Sequence, residues 1–381
     1  MRQTLTAAGL LALAAACAQA QAQTQTHAQS GTTIYGTFDE YIGVIRSSSG
    51  ARVTGLNDGA ILRSRLGFKG VEDIGGGYRI TFTLEQGIGA DTGSAADANR
   101  LFDRQAWLGV VTPVGEFRAG RQNTQVFYIG GAIDYTERTT FGSMFNTFGV
   151  PSRYDNDLSY KSPRMAGLQL DVHYALPENT AATNNKGVWQ LALDYQNGPW
   201  RAGYAGVLAT PNRATATVRE RIEYHNLYVN YQYGAGKIYL AAGRSNNSTS
   251  NANGANTGAI LSLVGSPNNF FAGTDANARR YYNLWELSAD YRVGPAFRVG
   301  AMLGGAHDTS GGGASVRSAN VGAYYDLSKR TQLYGFASVM KNDDAAGFRF
   351  SSSAAPSANL AGDDIDGRRL TGLQLGILHR F

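Results

Sequence analysis

The chain has 381 residues, of which 43% are hydrophobic and 17% are charged, and its formal net charge is +5. This length allows two ordinary soluble domains or one large β-barrel. No run of four or more basic residues occurs, which argues against a nucleic-acid-binding protein. Beyond the N-terminus no apolar run approaches the ~18–20 residues of a membrane-spanning helix, which excludes an α-helical membrane protein.

The first twenty residues have the features of a secretory signal peptide. Arg2 supplies a positive start, residues 5–16 are apolar, and Ala18-Gln19-Ala20 is a small-x-small cleavage site. We expect cleavage after Ala20, with cleavage after Ala22 and lipoprotein processing at Cys17 as alternatives. Cys17 is the only cysteine, so a mature chain without it has no disulfide and no thiolate metal site.

Three segments are therefore predicted: a signal peptide at 1–20, a disordered polar segment at 21–31, and one large domain at 32–381. In that domain apolar and polar residues alternate, as in residues 78–85, where Tyr, Ile, Phe and Leu alternate with Arg, Thr, Thr and Glu. The same alternation recurs at 168–176, 189–195, 226–233 and 373–381. Such segments indicate antiparallel strands. Alternation alone fits both a soluble sandwich and a membrane barrel, but the export signal and the polar second face favour the barrel.

The connections between these segments predict the number of strands. Seven tight-turn signals rich in Gly, Pro or Asn alternate with eight longer polar stretches, which predicts sixteen strands in an all-β barrel. The tight turns are at 73–77, 113–115, 162–167, 197–199, 234–236, 294–295 and 327–330. The longer stretches are at 46–59, 89–99, 123–155, 177–187, 211–220, 246–278, 308–315 and 343–367.

Several stretches, in order along the chain, resemble the trimeric general-diffusion porins of Gram-negative bacteria in their neisserial-type branch. They include residues 33–39 (Thr-Ile-Tyr-Gly-Thr-Phe-Asp), 64–77, 102–109, 115–122 and the terminal Leu-His-Arg-Phe at 378–381. The resemblance implies a transmembrane barrel of sixteen strands in the outer membrane, a homotrimer, and a third external loop folded into the lumen. It also implies passive diffusion of small hydrophilic solutes and ions. The partners expected with it are outer-membrane lipid, lipopolysaccharide and the barrel-assembly machinery.

In a water-filled barrel, ions are sorted by the width of the lumen and by its lining charges. The candidate basic wall consists of Arg63, Arg65, Lys69, Arg104, Arg121 and Arg153. Arg63, Arg65 and Lys69 are separated by even numbers of residues, so on a single strand all three would lie on the same face and point into the lumen. The family resemblance points most directly to Arg65, Arg104 and Arg153. The alternative role for each of these side chains is an ion pair with a carboxylate that stabilises the fold.

The opposing loop is expected at about 123–154, and its acidic candidates are Asp134 and Glu137. Their alternative role is to cap a helical turn or to bind backbone amides that hold the loop. Phe141, Phe145 and Phe148 are expected to pack this loop rather than to touch solute. Because the basic candidates outnumber the acidic ones, we expect a weakly anion-selective pore.

The sequence offers no enzyme motif: HExxH, the phosphate-binding GxxxxGK[ST] and GxSxG are all absent. The five histidines are scattered, so neither a metal site nor a cofactor is predicted. The alternatives to a general channel are a substrate-specific channel and a barrel that acts mainly as a surface adhesin. Phe381, which ends an alternating strand, is the expected signal for barrel assembly.

Overall fold

The computed structural model describes residues 30–150, 152–177, 187–210, 221–246, 281–351, 356 and 358–381. The predicted signal peptide at 1–20 lies outside the described residues, as do residues 21–29 of the predicted disordered segment. Gly31, the last residue of that segment, already begins the first strand.

The described part of the chain is almost entirely β-structure. Its strands are β1 (Gly31–Ser47), β2 (Arg52–Asp58), β3 (Arg65–Gly75), β4 (Tyr78–Gly89), β5 (Ser94–Ala95), β6 (Gln105–Thr112), β7 (Gly115–Asn123), β8 (Arg153–Lys161), β9 (Leu168–Ala175), β10 (Val188–Asn197), β11 (Trp200–Ala209), β12 (Ile222–Tyr233), β13 (Gly236–Ser245), β14 (Tyr282–Val293), β15 (Phe297–Asp308), β16 (Val316–Asp326), β17 (Thr331–Asn342) and β18 (Arg369–Arg380). Neighbouring strands pair antiparallel, and β18 pairs with β1, so the sheet closes into a barrel.

Two of these segments form a single barrel strand. β2 pairs with β1 from Glu40 to Arg46, and β3 pairs with the earlier part of β1, from Gly31 to Thr37. When β2 and β3 are counted as one strand and the two-residue β5 is left out, the described residues form the predicted sixteen strands. The prediction of one loop at 46–59 is wrong for residues 52–58, which are held in the sheet by their ladder with β1.

Residues 59–64, between β2 and β3, leave the sheet and are held by Asp39 of β1. One carboxylate oxygen of Asp39 accepts hydrogen bonds from the backbone amides of Ile61 and Leu62, each at 2.7 Å. The other accepts from the hydroxyl of Tyr334 on β17, at 2.5 Å. Asp39 thus ties the interrupted strand to the far end of the chain.

The two faces of the barrel differ in polarity as the alternating sequence predicts. On β1, Ile34 and Ile42 point outward and are 62% and 58% exposed, whereas Asp39 and Tyr41 are buried on the inner face. On β18, Leu373, Leu375 and Ile377 are likewise exposed on the outer face. An apolar outside with a polar inside is the arrangement of a barrel that faces lipid.

The tight turns all lie at one end of the barrel, and the described parts of the longer connections lie at the other; residues 178–186, 211–220 and 247–278 of the predicted longer stretches lie outside the described residues. Gly198 and Gly294, at φ 55° and 73°, occupy turns that need the left-handed backbone conformation glycine adopts without strain. The helical elements are short: α1 (Gln125–Tyr128), α2 (Gly130–Ile133) and α3 (Met144–Phe148) between β7 and β8, and a 3-10 turn at Gly362–Asp364. Among the described residues, no helix is long and apolar enough to cross a membrane.

The connection between β7 and β8, called here the inner loop, is the third long one and lies inside the barrel. Its backbone carbonyl at Ala132 accepts a hydrogen bond from Asn230 of β12, at 2.9 Å. The hydroxyl of Tyr135 donates to Asn320 of β16, at 2.5 Å. The carbonyl of Ala60, in the interruption after β2, accepts from the amide of Thr140 at 3.0 Å. The inner loop therefore follows the inner wall, as the resemblance implies.

Candidate constriction of the barrel lumen

Four of the six basic candidates come together on one side of the lumen. Arg65 begins β3, Arg104 directly precedes β6, Arg121 lies on β7 and Arg153 begins β8. We call these four side chains the basic cluster. Their contacts place them together, since Arg65 and Arg104 share the carboxylate of Glu85, and Arg104 and Arg121 are the nearest positive charges to Arg153.

Glu85 of β4 links Arg65 and Arg104. Its carboxylate lies 2.7 Å from Nε of Arg104 and 3.8 Å from Nη1 of Arg65. It also accepts a hydrogen bond from the hydroxyl of Tyr35, at 2.9 Å. Arg104 has no exposed surface and Glu85 is 2% exposed, so this pair is shielded from bulk water. A buried charged side chain destabilises the folded protein unless an opposite charge or hydrogen bonds compensate it.

Asp155 plays the corresponding role for Arg121. Nη1 of Arg121 lies 2.5 Å from the Asp155 carboxylate, and its Nε donates to the carbonyl of Asp103 at 2.6 Å. Arg100 of the preceding loop binds the two oxygens of Asp155 at 2.9 Å each. This hydrogen bonding raises the pKa of Arg100, so the loop residue adds another permanent positive charge beside the cluster.

Arg153 has the fewest compensating contacts of the four. Its Nε donates to the side chain of Asn123 at 3.1 Å, and its guanidinium lies 5.5 Å from the ring of Phe127 in the inner loop. Arg104 and Arg121 are close enough to repel it, and the carboxylates of Asp103 and Glu85 attract it more weakly. Nη2 of Arg153 and both terminal nitrogens of Arg104 have no hydrogen-bond partner among the described residues. These three nitrogens are themselves buried, so the charges of Arg104 and Arg153 are only partly compensated within the protein and act on the lumen through their electric field.

Lys69 and Arg63 lie outside this cluster. The Lys69 ammonium lies 5.3 Å from the ring of Tyr35, further toward the end with the tight turns. Arg63 precedes β3, and its Nε lies 4.0 Å from the carboxylate of Asp58. The expectation that Arg63, Arg65 and Lys69 share one strand is therefore wrong for Arg63, because the sheet is interrupted at 59–64.

The two acidic candidates lie on the opposite wall, near β14–β16. One oxygen of Asp134 accepts hydrogen bonds from the amide and hydroxyl of Thr136, at 2.8 and 2.6 Å, and from the amide of Arg138 at 3.3 Å. Glu137 pairs with Arg298 of β15 at 3.0 Å, and its side chain is 36% exposed. Asp134 is thus engaged with backbone amides of its own loop, and Glu137 is the more accessible carboxylate.

The inner loop is fixed to this wall by one buried carboxylate. Glu286 of β14 accepts hydrogen bonds from the amides of Met144 and Phe145 and from the hydroxyl of Ser143, which together form the start of α3. The predicted packing role of the loop phenylalanines is confirmed: Phe141 stacks on Phe350 with ring centroids 5.0 Å apart, and Phe145 and Phe148 are fully buried.

Arg138 belongs to the inner loop, and its guanidinium lies 4.5 Å from the ring of Phe127. Burial lowers its pKa to about 10, so it stays charged at neutral pH. Its charge adds to the positive potential on the loop side of the constriction.

Sequence reasoning missed the partners of the cluster and a second basic region. Glu85 occupied a polar position in the alternating segment 78–85, which was its only signal. On the side of the inner loop facing the tight turns, a polar cavity of about 310 Å³ is lined by four basic residues and by the carboxylates of Asp171 and Asp194, the second of which pairs with Arg164 and Arg201. These basic residues are Arg118, Lys161, Arg164 and Arg201. In the described part of the chain, no three His, Cys, Asp or Glu side chains are arranged to hold a metal ion.

Comparisons with known proteins agree with this barrel. The sequence profile of a family described as Gram-negative porin matches residues 7–345. An outer membrane porin protein of Bordetella pertussis is 28% identical over an alignment of 428 residues that spans 100% of both chains. The major outer membrane protein P.IB of Neisseria gonorrhoeae is 26% identical, with 80% of this chain and 86% of that protein aligned. The solved anion-selective porin from Comamonas acidovorans has a TM-score of 0.73 at 22% identity, covering 93% of this chain and 100% of that one.

Proposed function

The chain belongs to the family of Gram-negative porins of the outer membrane, and from this membership we propose that its barrel is a passive, anion-preferring channel for small hydrophilic solutes and ions. The activity proposed is diffusion rather than catalysis. With it we propose a signal peptide at 1–20, assembly through the terminal Phe381, and a homotrimer. The exposed apolar outer faces of β1 and β18 support the trimer, because a second subunit can cover them.

The observation that carries the anion preference is the convergence of Arg65, Arg104, Arg121 and Arg153 on one side of the lumen. With Arg100 they bring five guanidinium groups against four carboxylates, those of Glu85, Asp97, Asp103 and Asp155. Charges that line a narrow, low-dielectric lumen bias ion passage more strongly than charges on the rim, which salt screens. The similarity to a porin named anion-selective supports the same preference.

The transverse arrangement supports a general channel. The basic cluster occupies one wall, whereas Glu137 on the other wall is paired with Arg298, so the field across the lumen comes mainly from the cluster and acts on dipolar solutes in general. A substrate-specific channel for small anions is the second candidate. The polar cavity beyond the inner loop favours it, because Arg118, Lys161, Arg164 and Arg201 outnumber the lining carboxylates of Asp171 and Asp194.

The test is the reversal potential of single channels in a planar bilayer under a salt gradient. We expect the unmodified protein to prefer anions. R65Q/R153Q should lower the anion-to-cation permeability ratio without closing the channel, and neutralising Glu137 should raise that ratio. The control is R244Q/R330Q, which removes the same charge from the outer face and from a turn and should leave the ratio unchanged. A wild-type preference for cations, or an unaltered ratio in R65Q/R153Q, contradicts the proposal.

A further inference from the structure

The polar cavity on the tight-turn side of the inner loop has an aromatic ring in its wall that is open to the lumen. The ring belongs to Tyr128, the last residue of α1, which lines the cavity and is 46% exposed. Phe141, Phe145 and Phe148 of the same loop are buried. Because an aromatic side chain stabilises a fold mainly by being buried, packing of the inner loop does not explain the position of Tyr128.

Tyr128 is held in this position by a hydrogen bond to the barrel wall. Its hydroxyl donates to Oε1 of Gln105 at 3.0 Å, and the same oxygen accepts from the indole nitrogen of Trp107 at 3.1 Å. The amide nitrogen of Gln105 in turn donates to Glu85 at 3.4 Å. A ring that is fixed before a ligand arrives loses little conformational entropy when the ligand binds.

Three of the four basic side chains of the cavity have carboxylate partners. Arg118 donates two hydrogen bonds to Glu116, at 2.9 and 2.8 Å. Arg164 and Arg201 share the carboxylate of Asp194, at 2.5 and 2.7 Å. These charges are therefore largely compensated within the protein.

Lys161 is the fourth basic side chain, and its ammonium forms no ion pair with a residue that the structure describes. Its cross-strand partner on β9 is Asp171. The carboxylate of Asp171 is engaged elsewhere, because it lies 2.7 Å from the ring of His173 and accepts a hydrogen bond from Gln125 at 2.6 Å. The positive charge of Lys161 is thus available to an anionic ligand.

Trp107 is a second aromatic side chain nearby, but one of its faces is covered. It lines a neighbouring cavity of about 560 Å³, and Arg118 lines both cavities. The guanidinium of Arg118 lies 4.1 Å from the centre of the Trp107 ring, which is the distance of a cation–π contact. Tyr128 therefore offers the more open ring to a ligand in the polar cavity.

The chemistry of the ligand follows from the open ring and the unpaired ammonium together. A small inorganic anion would bind Lys161 and leave the ring of Tyr128 in water. A neutral sugar would contact the ring and leave the ammonium without a partner. A flat ring that carries a carboxylate uses both groups, and a cavity of about 310 Å³ has the size of a site for a small ligand.

We propose that the polar cavity binds aromatic monocarboxylates, with the aromatic ring against Tyr128 and the carboxylate at Lys161. The proposal rests on the proposed channel function, because the ligand reaches the cavity through the lumen. It adds to that function a site that retains one class of solute on the tight-turn side of the constriction.

The experiment measures inhibition of the potassium chloride current through the full-length protein in a planar bilayer. The probes are benzoate and cyclohexanecarboxylate, which carry the same charge, whereas only benzoate has an aromatic ring. We expect both to inhibit, with a half-inhibitory concentration about threefold or more lower for benzoate. Equal half-inhibitory concentrations in the unmodified protein would overturn the proposal without any variant.

Variants of Tyr128 and Lys161 assign the two parts of the ligand. Y128L should raise the half-inhibitory concentration of benzoate to that of cyclohexanecarboxylate, whereas Y128F keeps the ring and should stay within about twofold of the unmodified protein. K161Q should raise both concentrations about threefold or more, and K161R should restore them. The matched controls are Y291L, an exposed tyrosine of the outer wall, and K329Q, an exposed lysine of a tight turn, which should leave both concentrations within about twofold.

Three results with the variants would also overturn the proposal: an unchanged benzoate concentration in Y128L, an equal loss in Y128F, or an equal loss in the controls. An equal loss in Y128F would assign the effect to the hydrogen bond with Gln105 instead of the ring. The reversal potential in potassium chloride separates the two proposals. A channel that conducts and prefers anions but does not distinguish the two probes contradicts only the aromatic site, whereas absence of conductance contradicts the channel function and the site with it.

Discussion

Glu85 is the residue on which the basic cluster depends most directly. It lies between Arg65 and Arg104 and is shielded from water together with Arg104. Removing one partner of a buried ion pair leaves the other charge uncompensated, which destabilises a protein far more than removing an exposed pair. The same carboxylate offsets one positive charge of a wall on which guanidinium groups outnumber carboxylates.

We expect Glu85→Gln to lower the free energy of unfolding by about 3 kcal/mol, because Arg104 loses its charged partner. The measurement is urea unfolding of the barrel in lipid vesicles. Glu72→Gln, an exposed position on the adjacent strand, is the control and should change stability by less than about 0.5 kcal/mol. In bilayers, E85Q should also increase the preference for anions. Unchanged stability together with an unchanged ion ratio would show that Glu85 does not compensate the cluster.

At the scale of elements, the inner loop is held by side chains rather than by a β-ladder. Glu286 accepts two backbone amides and one hydroxyl from the start of α3, and Thr140 reaches the carbonyl of Ala60 on the far side. Hydrogen bonds to a charged acceptor contribute ~1.5–3 kcal/mol each. The position of the loop, and with it the width of the lumen, depends on a few such contacts.

We expect Glu286→Ala to release the start of α3, since its amides lose their buried acceptor. Amide hydrogen exchange in the peptide spanning residues 139–149 should accelerate at least about tenfold, which corresponds to the loss of one contact of ~1.4 kcal/mol. Single-channel currents should become noisier. Glu223→Ala, on the outward face of β12, is the control and should leave both measurements unaltered. Exchange at the wild-type rate in E286A would mean that another contact anchors the loop.

The strands and their number could be predicted from the sequence because each strand repeats its own signal: alternation over about ten residues, ended by Gly, Pro or Asn. The interruption at 59–64 could not be predicted from the sequence, because its conformation depends on hydrogen bonds to Asp39 and to Thr140, which lies eighty positions after Ala60. Arg65 and Arg104 were identified, whereas their partner Glu85 was not. An inward polar position does not reveal its cross-strand neighbours until the register is known.

At the scale of the whole molecule, closure of the barrel brings the two ends of the chain together. The amide and carbonyl of Phe381 exchange hydrogen bonds with those of Gly36, at 3.1 and 3.0 Å. The Phe381 ring stacks against Phe38 with centroids 5.9 Å apart. A Cβ added at Gly36 would lie 2.2 Å from the Phe381 ring and 2.7 Å from the carbonyl oxygen of Arg65, so glycine is required there.

We expect deletion of Phe381 to lower the amount of protein in the outer membrane several-fold, with accumulation or degradation in the periplasm, because the closing pair is lost. Gly36→Ala should also lower the amount of protein in the outer membrane, since the added Cβ would clash with the backbone of Arg65 as well as with the Phe381 ring. Gly31→Ala, where an added Cβ has open space, is the matched control. The measurement is quantitative blotting of fractionated membranes. Normal insertion of the chain lacking Phe381 would refute its role in assembly.

The hydrogen bonds of Asp39 couple the closing strands of the barrel to the inner loop. Tyr334, near the end of the chain, and the interruption at 59–64, near its beginning, both bind the carboxylate of Asp39. The same interruption presents the carbonyl of Ala60, which accepts a hydrogen bond from the amide of Thr140. A disturbance where the first and last strands join therefore reaches the constriction through a single side chain, although the two places are far apart in the sequence.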